Sequence, residues 1–271
     1  MPTFWCDRPA DVLLVSGPDA STYLQSQISQ DIRNLGEGGH AYSFVLQPTG
    51  KVDALVRIHR SGAESFVIDT DGGFGEGLAA RLNRFKIRVK VEIEPVAWRC
   101  IAVRGTTLPV TGSSPAWGVD DAFDLLGDDA GPPDGISEGT SADLELARIE
   151  AGWPLMGHEI TEATIPAETG RVVGLAVNFT KGCYPGQELV ERMDSRGSKA
   201  PRFVRRLRGA GAAKWGDELS HEGKVVGTIT SVANSGDGWV ALGSVARAVN
   251  PGDTVSLNGS DSVVEDSSPT C

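Results

Sequence analysis

Apolar residues alternate with charged ones most regularly over residues 85–94, Phe-Lys-Ile-Arg-Val-Lys-Val-Glu-Ile-Glu. A period of two predicts a β-strand with one face in water, and Pro95 is expected to end that strand. Shorter apolar runs predict further strands at 11–16, 41–46, 52–58 and 65–69, and helices at 20–28 and about 76–84. This order of elements predicts an α+β lobe, rich in antiparallel strands, over residues 1–95.

Two more units follow along the chain. The second, residues 96–198, opens with an apolar strand at 100–105 and carries a helix that Ser141 is expected to cap and Gly152-Trp153-Pro154 to stop. In the third, residues 199–271, short alternating strands are predicted at 202–208, 224–230, 238–246 and 253–257. This pattern predicts a small β-barrel with a polar tail, whose last ten residues we expect to be disordered.

Composition and charge narrow the class of protein. The chain has 271 residues, 40% of them hydrophobic, and a net charge of −11. Binding of phosphate groups needs a basic surface, so this charge argues against direct binding of nucleic acid. We expect neither a signal peptide nor a membrane span, because no apolar stretch approaches about eighteen residues. These features indicate a cytoplasmic protein, and we expect it to be a monomer.

The cysteines do not form a recognisable metal-binding pattern. They stand at positions 6, 100, 183 and 271, and no two of them make a Cys-x-x-Cys pair. No histidine lies at a metal-ligand spacing from them, so we expect no metal site built from this chain alone. Free thiols in a reducing compartment are the simplest interpretation. A single cysteine can still ligate an iron–sulfur cluster that is shared with a partner.

Candidate chemistry is densest in the octapeptide of residues 181–188, Lys-Gly-Cys-Tyr-Pro-Gly-Gln-Glu. Its two glycines permit a positive φ and its proline restrains the backbone, so the segment predicts a rigid turn that presents side chains. Lys181 stands two residues from Cys183, and a nearby cation lowers the pKa of a thiol. A thiolate there could be a nucleophile, a redox thiol or a metal ligand. The plain alternative is a surface loop with an incidental thiol.

Single residues elsewhere also suggest a site. Asp53 interrupts an otherwise apolar strand, so its carboxylate must face water, a partner or a ligand. Arg148 and Glu150 stand on the last turn of the predicted 141–151 helix, where they could form structural pairs or line a cleft near the octapeptide. Residues 73–80, Gly-Phe-Gly-Glu-Gly-Leu-Ala-Ala, superficially match a dinucleotide fingerprint. We interpret them as a tight strand-to-helix turn, because the strand predicted next is amphipathic rather than continuously apolar.

The octapeptide resembles the Lys-Gly-Cys-Tyr-x-Gly-Gln-Glu signature of the YgfZ family, which is related to the glycine-cleavage T-protein, an aminomethyltransferase. Residues 17–27, 50–53, 148–168 and 227–231 also resemble segments of these proteins, so the resemblance spans nearly the whole chain. It implies three lobes around a central folate-sized channel, with a C-terminal β-barrel. It also implies binding of tetrahydrofolate and upkeep of certain iron–sulfur enzymes, including enzymes that modify tRNA.

Two positions distinguish whether the chain resembles the YgfZ branch or the T-protein branch more. T-proteins resemble Lys-Gly-Asp-Phe-x-Gly at the octapeptide, whereas this chain has Cys183 and Tyr184, as the YgfZ branch does. The T-protein strand carries an adjacent pair of aspartates, of which this chain keeps only Asp53, followed by Ala54. The missing second carboxylate weakens an interpretation as an aminomethyl transferase, because that reaction relies on a carboxylate beside the folate.

The resemblance implies tetrahydrofolate or a derivative as cofactor, and iron–sulfur client or assembly proteins as partners. A carboxylate or an amide suits the edge of a pterin ring, and Arg or Lys suits the anionic glutamate tail. The residues expected to act in the chemistry are Cys183, Lys181 and Asp53. The residues expected to bind the cofactor are Tyr184, Gln187, Glu188, Arg192, Arg148, Glu150 and Glu168.

The predicted function is a tetrahydrofolate-binding protein that supports assembly or repair of iron–sulfur clusters in client enzymes. Such a protein is an accessory factor rather than an enzyme. A tetrahydrofolate-dependent aminomethyl or one-carbon transferase, with Asp53 as its carboxylate, is one alternative. A non-enzymatic docking protein, in which the acidic segment 120–145 or the barrel edge contacts a partner, is another.

Overall fold

The structure of the protein, a computed structural model, describes residues 2–108, 110–195, 200–236 and 238–267. Up to residue 104 the elements are β1 (Phe4–Asp7), β2 (Ala10–Ser16), α1 (Ala20–Gln27), β3 (His40–Leu46), β4 (Val52–Gly62), β5 (Ser65–Asp71), α2 (Gly75–Arg84), β6 (Glu92–Val96) and β7 (Arg99–Arg104). The middle elements are β8 (Ser114–Pro115), β9 (Ala122–Gly127), β10 (Ser137–Glu138), α3 (Ser141–Glu150), a 3₁₀ turn (Pro166–Glu168), α4 (Val172–Ala176) and α5 (Gln187–Ser195). The last are β11 (Arg202–Ala210), β12 (Glu218–His221), β13 (Lys224–Ser235), β14 (Gly238–Ala246), β15 (Thr254–Leu257) and β16 (Ser260–Glu265). No helix within the described ranges is long and apolar enough to cross a membrane.

The first sheet has the strand order β3-β4-β5-β2-β6, and all of its neighbouring strands are antiparallel. Helices α1 and α2 cover one of its faces through a core that includes Leu24, Ile58, Phe66 and Leu82. The alternation of apolar side chains along the strands builds this core, because successive side chains point to opposite faces. The elements predicted for residues 11–84 are confirmed, apart from small shifts of their ends.

The prediction of one long strand over residues 85–94 is wrong. Only β6, which begins at Glu92, is a strand, and Arg88 has a φ of +55° that interrupts any extended run before it. Val89 and Val91 pack into the core of the first lobe while Arg88 and Lys90 face outward, but the apolar Ile87 is exposed as well. Pro95 does not end the strand but lies within β6. Proline is tolerated there because β6 is at the edge of the sheet, where a missing N–H costs no ladder hydrogen bond.

The second sheet has the strand order β10-β1-β7-β9-β8. Its strand β1 comes from the start of the chain and pairs antiparallel with β7, with Phe4 opposite Arg104. Residues 4–7 therefore lie in the sheet of the second unit, although the sequence pattern assigned them to the first. Pairing between distant segments depends on tertiary contacts that local periodicity does not encode.

The N-cap of helix α3 lies one residue before the predicted cap. Thr140, not Ser141, is the N-cap, since its hydroxyl oxygen accepts from the Asp143 backbone N–H at 3.2 Å. The Asp143 carboxylate in turn accepts from the Thr140 backbone N–H at 2.8 Å. This reciprocal pair is a capping box, which satisfies two backbone donors that a helix start leaves free.

The C-terminal unit is a closed barrel with the strand order β11-β14-β13-β12-β15-β16. The predicted barrel is confirmed, but two of its strands, β12 and β16, were not predicted. The expected disorder of the last ten residues is wrong for 262–267, because β16 runs to Glu265 and Ser267 is buried. Residues 268–271 lie outside the described part of the chain. Strand β16 is rich in serine and aspartate, so its sequence lacks a strong strand signal.

Candidate functional site

Lys181 holds the octapeptide against the end of helix α1. Its side chain is buried, and the ammonium Nζ donates to the carbonyl oxygens of Gln25 at 2.6 Å, Ile28 at 2.6 Å and Gln30 at 3.1 Å. An ammonium has three hydrogens, so these three acceptors account for all of them. The cation also satisfies carbonyls at the helix C-terminus, where the helix dipole favours positive charge. Lys181 is thus placed as a positioning residue for the segment that follows it.

Burial is the main cause of the shifted pKa values of Lys181 and Tyr184, which stand close to Cys183 in the octapeptide. It lowers the pKa of the Lys181 ammonium to about 8 and raises the pKa of the Tyr184 phenol to about 12. The Tyr184 ring centroid lies 5.1 Å from the Lys181 Nζ, a distance at which a cation is attracted to a ring face. The tyrosine thus packs as an aromatic wall of the segment, with 8% of its surface exposed.

Two glycines bring the octapeptide into backbone contact with the turn between β3 and β4. Gly186 has a φ of +81°, and a Cβ added there would lie 2.5 Å from the Gln47 carbonyl oxygen and 3.0 Å from the Gly50 Cα. Gly50 has a φ of +85°, and a Cβ on it would meet the Leu189 Cβ at 2.5 Å. The predicted rigid turn is therefore held by close backbone packing that only glycine permits at these positions.

The turn leaves Cys183 exposed, whereas Cys6 and Cys100 are buried. Burial raises the pKa of Cys6 and raises that of Cys100 to about 11, so both thiols stay protonated at neutral pH. Cys271 lies outside the described residues. Among the described cysteines, Cys183 is thus the thiol that a partner or solute can reach. Within this part of the chain no group of three or more His, Cys, Asp or Glu side chains is arranged to hold a metal ion.

The polar residues at the end of the octapeptide lie on the surface of α5. The Gln187 Oε1 accepts from the Tyr184 backbone N–H at 3.3 Å, and its amide nitrogen donates to Glu191. Glu188, whose side chain is 89% exposed, pairs with Arg192 one turn later at 3.2 Å. These contacts support the turn and the helix, and the side chains of Glu188 and Arg192 lie in solvent.

Arg148 joins three parts of the molecule. Its buried guanidinium pairs with Glu145 at 2.6 Å and Glu159 at 3.1 Å, and it donates to the Trp153 carbonyl oxygen at 2.6 Å. The other oxygen of Glu159 accepts from the Ser231 hydroxyl of the barrel at 2.7 Å. The side chain of Glu159 is fully buried, so this linkage ties the end of α3 and the 155–160 loop to the barrel.

Glu150 and Glu168 also have structural partners. The Glu150 carboxylate pairs with Arg208 of β11, and its carbonyl oxygen accepts from Arg206 at 2.6 Å. The Glu168 carboxylate accepts from the Ile165 backbone N–H at 3.1 Å and so closes the 3₁₀ turn. Both glutamates therefore stabilise joints of the fold in this structure.

Asp53 is the predicted site residue that lines a large cavity. This cavity, of about 550 Å³, lies between β4, α2 and residues 156–162. Asp53 is 27% exposed and accepts from the Arg81 Nε at 3.2 Å. Arg81 also donates to the Leu46 carbonyl oxygen at 2.9 Å and lies over the Phe85 ring, with its guanidinium carbon 3.9 Å from the ring centroid. The remaining nine predicted residues do not line this cavity.

The walls of the Asp53 cavity combine charge with apolar surface. Besides Asp53, they include Glu162 and Arg84, both exposed, together with Phe74 and Met156. Pockets of about 300 to 1,000 Å³ with apolar walls and a few convergent polar groups are typical of small-molecule sites. The cavity therefore has the size and the mixed lining of a small-molecule site, with carboxylates that can accept hydrogen bonds and arginines that can pair with an anion.

The space between the two sheets is filled rather than open. The cavity there measures about 20 Å³, room for about one water molecule. A cavity of this size cannot hold a folate, and the folate-sized central channel that the resemblance implied stays a prediction. Arg57 pairs with Asp69 and Asp124, each at 3.0 Å, and Arg104 pairs with Asp124 at 2.9 Å. Arg8 adds a pair with Asp69 at 2.6 Å, so the centre of the fold is a neutralised charge cluster.

The Gly-rich segment at 73–80 is a strand-to-helix turn, as predicted, and its anion-binding donors are already used. The Asp11 carboxylate accepts from the backbone N–H groups of Gly73 at 2.8 Å and Gly75 at 2.7 Å. A phosphate at this helix start would have to displace that carboxylate, so the geometry disfavours a dinucleotide site.

Sequence reasoning missed Arg81 and Glu159. A signal for Arg81 was present, because it falls three residues after Leu78 and one before Leu82, on the apolar face of α2. A charged residue on such a face needs a buried partner. Glu159 lay in the segment that resembled the family, but its partner Ser231 is 72 residues away and no local pattern joins them.

Comparisons with known proteins agree with this architecture. No family model matches the chain. It is 30% identical over 215 residues, or 71% of its length, to an "iron-sulfur cluster assembly factor IBA57 homolog, mitochondrial" from Pyricularia oryzae, of which the match covers 54%. It is 26% identical to a "tRNA-modifying protein YgfZ" from Cronobacter sakazakii, over 68% of this chain and 64% of that protein.

The fold is also that of a solved structure. The glycine cleavage system aminomethyltransferase T from Bartonella henselae superimposes with a TM-score of 0.76 over 99% of this chain and 86% of that chain, at 18% identity. The two sheets and the closed barrel thus define a protein with the aminomethyltransferase T fold. Within that class, the chain is similar in sequence to YgfZ proteins, as its octapeptide predicted.

Proposed function

We propose that this protein supports the assembly or repair of iron–sulfur clusters in client enzymes, including enzymes that modify tRNA, and that it binds tetrahydrofolate or a derivative. Its relatives include proteins named as an iron–sulfur cluster assembly factor and as a tRNA-modifying protein, which favours this role over others. In this proposal the protein is an accessory factor, and client or assembly proteins are its partners.

The observation that carries the proposal is the exposed thiol of Cys183 on a rigid turn. Lys181 and the Gly186–Gly50 contact hold that turn from both sides, while Cys6 and Cys100 are buried. A cluster ligand or a thiol that reacts with a partner must be accessible, and fixed geometry limits the entropy lost on docking. One cysteine cannot complete a cluster, so the partner would contribute the remaining ligands.

The Asp53 cavity supports the folate part of the proposal. The Asp53 carboxylate suits the donor-rich edge of a pterin ring, Phe74 offers an apolar wall, and Arg84 suits the anionic glutamate tail. The small cavity between the sheets cannot accept a molecule of this size. When bound, tetrahydrofolate would supply a carrier for one-carbon units. The chain's own residues would bind and orient it and shield one ring face from water.

Calorimetric titration with tetrahydrofolate tests the folate part. We expect Asp53→Asn to weaken binding about tenfold, the loss expected when a carboxylate acceptor becomes a neutral amide. We expect Glu188→Ala, on the exposed face of α5, to bind as the wild type does. Loss of binding in Glu188→Ala alone would place the ligand at the octapeptide instead. The absence of any binding to the wild type would remove tetrahydrofolate from the proposal.

A separate experiment tests the iron–sulfur part. Cys183→Ser should lower the activity of a cluster-dependent tRNA-modifying enzyme in cells that lack the native protein, without changing the melting temperature. Thr180→Ser is the matched control, because it keeps a hydroxyl that can donate to Asn178 in the same loop. Full client activity in Cys183→Ser would contradict the role proposed for the thiol.

The second candidate is a tetrahydrofolate-dependent transferase, which the similarity in fold to an aminomethyltransferase favours. Asp53 would be its carboxylate, but Arg81 already pairs with that group, and the next residue, Ala54, is buried. Turnover of an aminomethyl-carrier substrate in the presence of tetrahydrofolate would establish this activity. We expect none, because the second carboxylate that the T-protein strand carries is missing.

A further inference from the structure

The face of the first sheet that points away from α1 and α2 is only partly covered. Strand register places Val67, Leu14 and Glu94 side by side in one row across β5, β2 and β6. The neighbouring row of Phe66, Val15 and Ile93 belongs to the core under the helices. Because successive side chains alternate between faces, the first row must lie on the opposite side.

The second sheet covers one half of that face and leaves the other half open. Asp69 lies on the same face as Val67, one row further along β5. It pairs there with Arg57 and Arg8 of the central charge cluster. Beyond that cluster a groove of about 520 Å³ remains, with Leu14 and Val67 among its lining residues. Trp98, half-buried in the connection from β6 to β7, also lines the groove.

The charge of this groove has one sign. Its ionisable lining residues are Glu92 and Glu94, both exposed on the edge strand β6. In the described part of the chain no ion pair joins either carboxylate to a cation, whereas the buried Asp69 and Asp124 are neutralised by arginines. Apolar walls of low polarisability reduce screening, so the negative potential of the two glutamates is concentrated in the groove.

We propose that this groove docks a basic segment of a partner protein through an arginine or lysine side chain. The aliphatic stem of such a side chain would lie on Leu14 and Val67, and its cationic head between the two glutamates and the Trp98 ring. Long cationic side chains bury their stems on apolar surface in this way, and tryptophan is the ring that attracts cations most strongly. This proposal does not depend on folate binding or on Cys183.

Side-chain docking is favoured over the addition of a strand to the sheet edge. Pro95 lies within β6 and has no N–H to offer a new strand. Proline and charged residues on an edge strand are devices that oppose edge-to-edge pairing. The recognition would therefore come from the groove and its charge, not from the backbone of β6.

A peptide titration tests the proposal. The probe is a hexapeptide of alternating glycine and arginine with blocked ends, and the control peptide has glutamate in place of arginine. We expect the arginine peptide to bind the wild-type protein in low salt and to bind more weakly as salt rises, because salt screens the charges. We expect no binding of the glutamate peptide. Failure of the arginine peptide to bind at millimolar concentration would overturn the proposal.

Variants of the groove locate the binding site. Glu92→Gln combined with Glu94→Gln should weaken binding about tenfold or more, as should Trp98→Ala, whereas Trp98→Phe should retain most of the affinity. Glu218→Gln combined with Glu222→Gln, two exposed carboxylates of the barrel, should bind as the wild type does. If Trp98→Ala fails to fold, the double glutamine variant decides the matter.

Two results would contradict the proposal even if the arginine peptide binds. Equal affinity in the wild type and the Glu92→Gln, Glu94→Gln variant would place the peptide elsewhere on this acidic protein. A dimer in sedimentation that Trp98→Ala dissolves would show that a second copy of the chain occupies the groove. Tetrahydrofolate titration of the double variant should be unchanged, which separates this proposal from the one for the Asp53 cavity.

Discussion

Gly186 and Gly50 lie in backbone contact, and that contact seats the octapeptide on the turn between β3 and β4. A Cβ on Gly186 would come within 3.0 Å of the Gly50 Cα, and both glycines have positive φ angles. Because the two segments are far apart in sequence, this contact links the candidate thiol loop to the strand that carries Asp53. The stability of the loop is therefore sensitive to a single added methyl group.

Gly186→Ala should destabilise the protein by about 2 to 4 kcal/mol, since it combines an unfavourable positive φ with a steric clash. Gly182→Ala is the matched control, because no atom lies within 4 Å of a Cβ built there. Urea unfolding measures both variants. Equal stability of the two would show that the close approach at Gly186 does not restrain the loop.

Lys181→Met should cost about 1 to 3 kcal/mol, because the carbonyls of Gln25, Ile28 and Gln30 lose their shared donor. The surface variant Lys224→Met should change stability by less than about 0.5 kcal/mol. Hydrogen exchange should also quicken in the segment around residue 181 in the first variant alone. An unchanged exchange rate there would mean that the lysine does not position the loop.

Glu159→Ala should destabilise the protein by about 3 kcal/mol, because it removes a buried partner of Arg148 and the acceptor of the Ser231 hydroxyl. Glu188→Ala, which breaks an exposed pair with Arg192, should cost less than about 0.5 kcal/mol. Calorimetry should show the barrel unfolding at a lower temperature in the first variant. A single unshifted transition would contradict the proposed tie between α3 and the barrel.

Acid should weaken the central charge cluster. Burial alone would raise the pKa of Asp124, but Arg104, Arg8 and Arg57 outweigh it and lower the pKa to about 2. A depressed folded-state pKa contributes stability that is present above the unfolded value of 3.8 and is lost as pH falls through about 2. That contribution is about 2 kcal/mol. Urea unfolding between pH 5 and about 2 measures it.

The control for the acid experiment is Asp124→Asn. This variant should be less stable at pH 7, because three arginines lose a charged partner, and it should lose less stability between pH 4 and about 2 than the wild type. The same slope in both proteins would show that Asp124 does not drive the acid response.

The local sequence pattern predicted strands and helices well where each of them has one face in the core and the other in water. The strands of residues 11–71 and the helix α2 followed from apolar runs and turn residues. The pattern failed at residues 85–91, where the backbone is not a strand and the apolar Ile87 faces water. It also failed at β16, whose serines and aspartate are held in a strand by the closure of the barrel.

For the candidate site, the sequence identified the octapeptide and the isolated carboxylate of Asp53, since both are unusual in composition. It could not assign the partners of the charged residues. The sequence left open whether Arg148 and Glu150 form structural pairs or line a cleft, and in the structure they pair with Glu159 and Arg208, respectively. When two paired side chains come from different lobes, their separation along the chain follows no fixed spacing, so the sequence does not reveal the pair.

By itself, the sequence of this protein determined the α+β lobes, the barrel, the similarity to YgfZ proteins and the segment that carries the exposed thiol. These depend on short-range periodicity, turn residues and a run of eight neighbouring positions. Only the tertiary structure decided how each charge is used and where space remains. The Lys181 ammonium is held by the Gln25 carbonyl 156 residues away, and the space between the sheets is filled by paired charges. Burial and pairing arise when distant segments pack, so they cannot be read from neighbours along the chain.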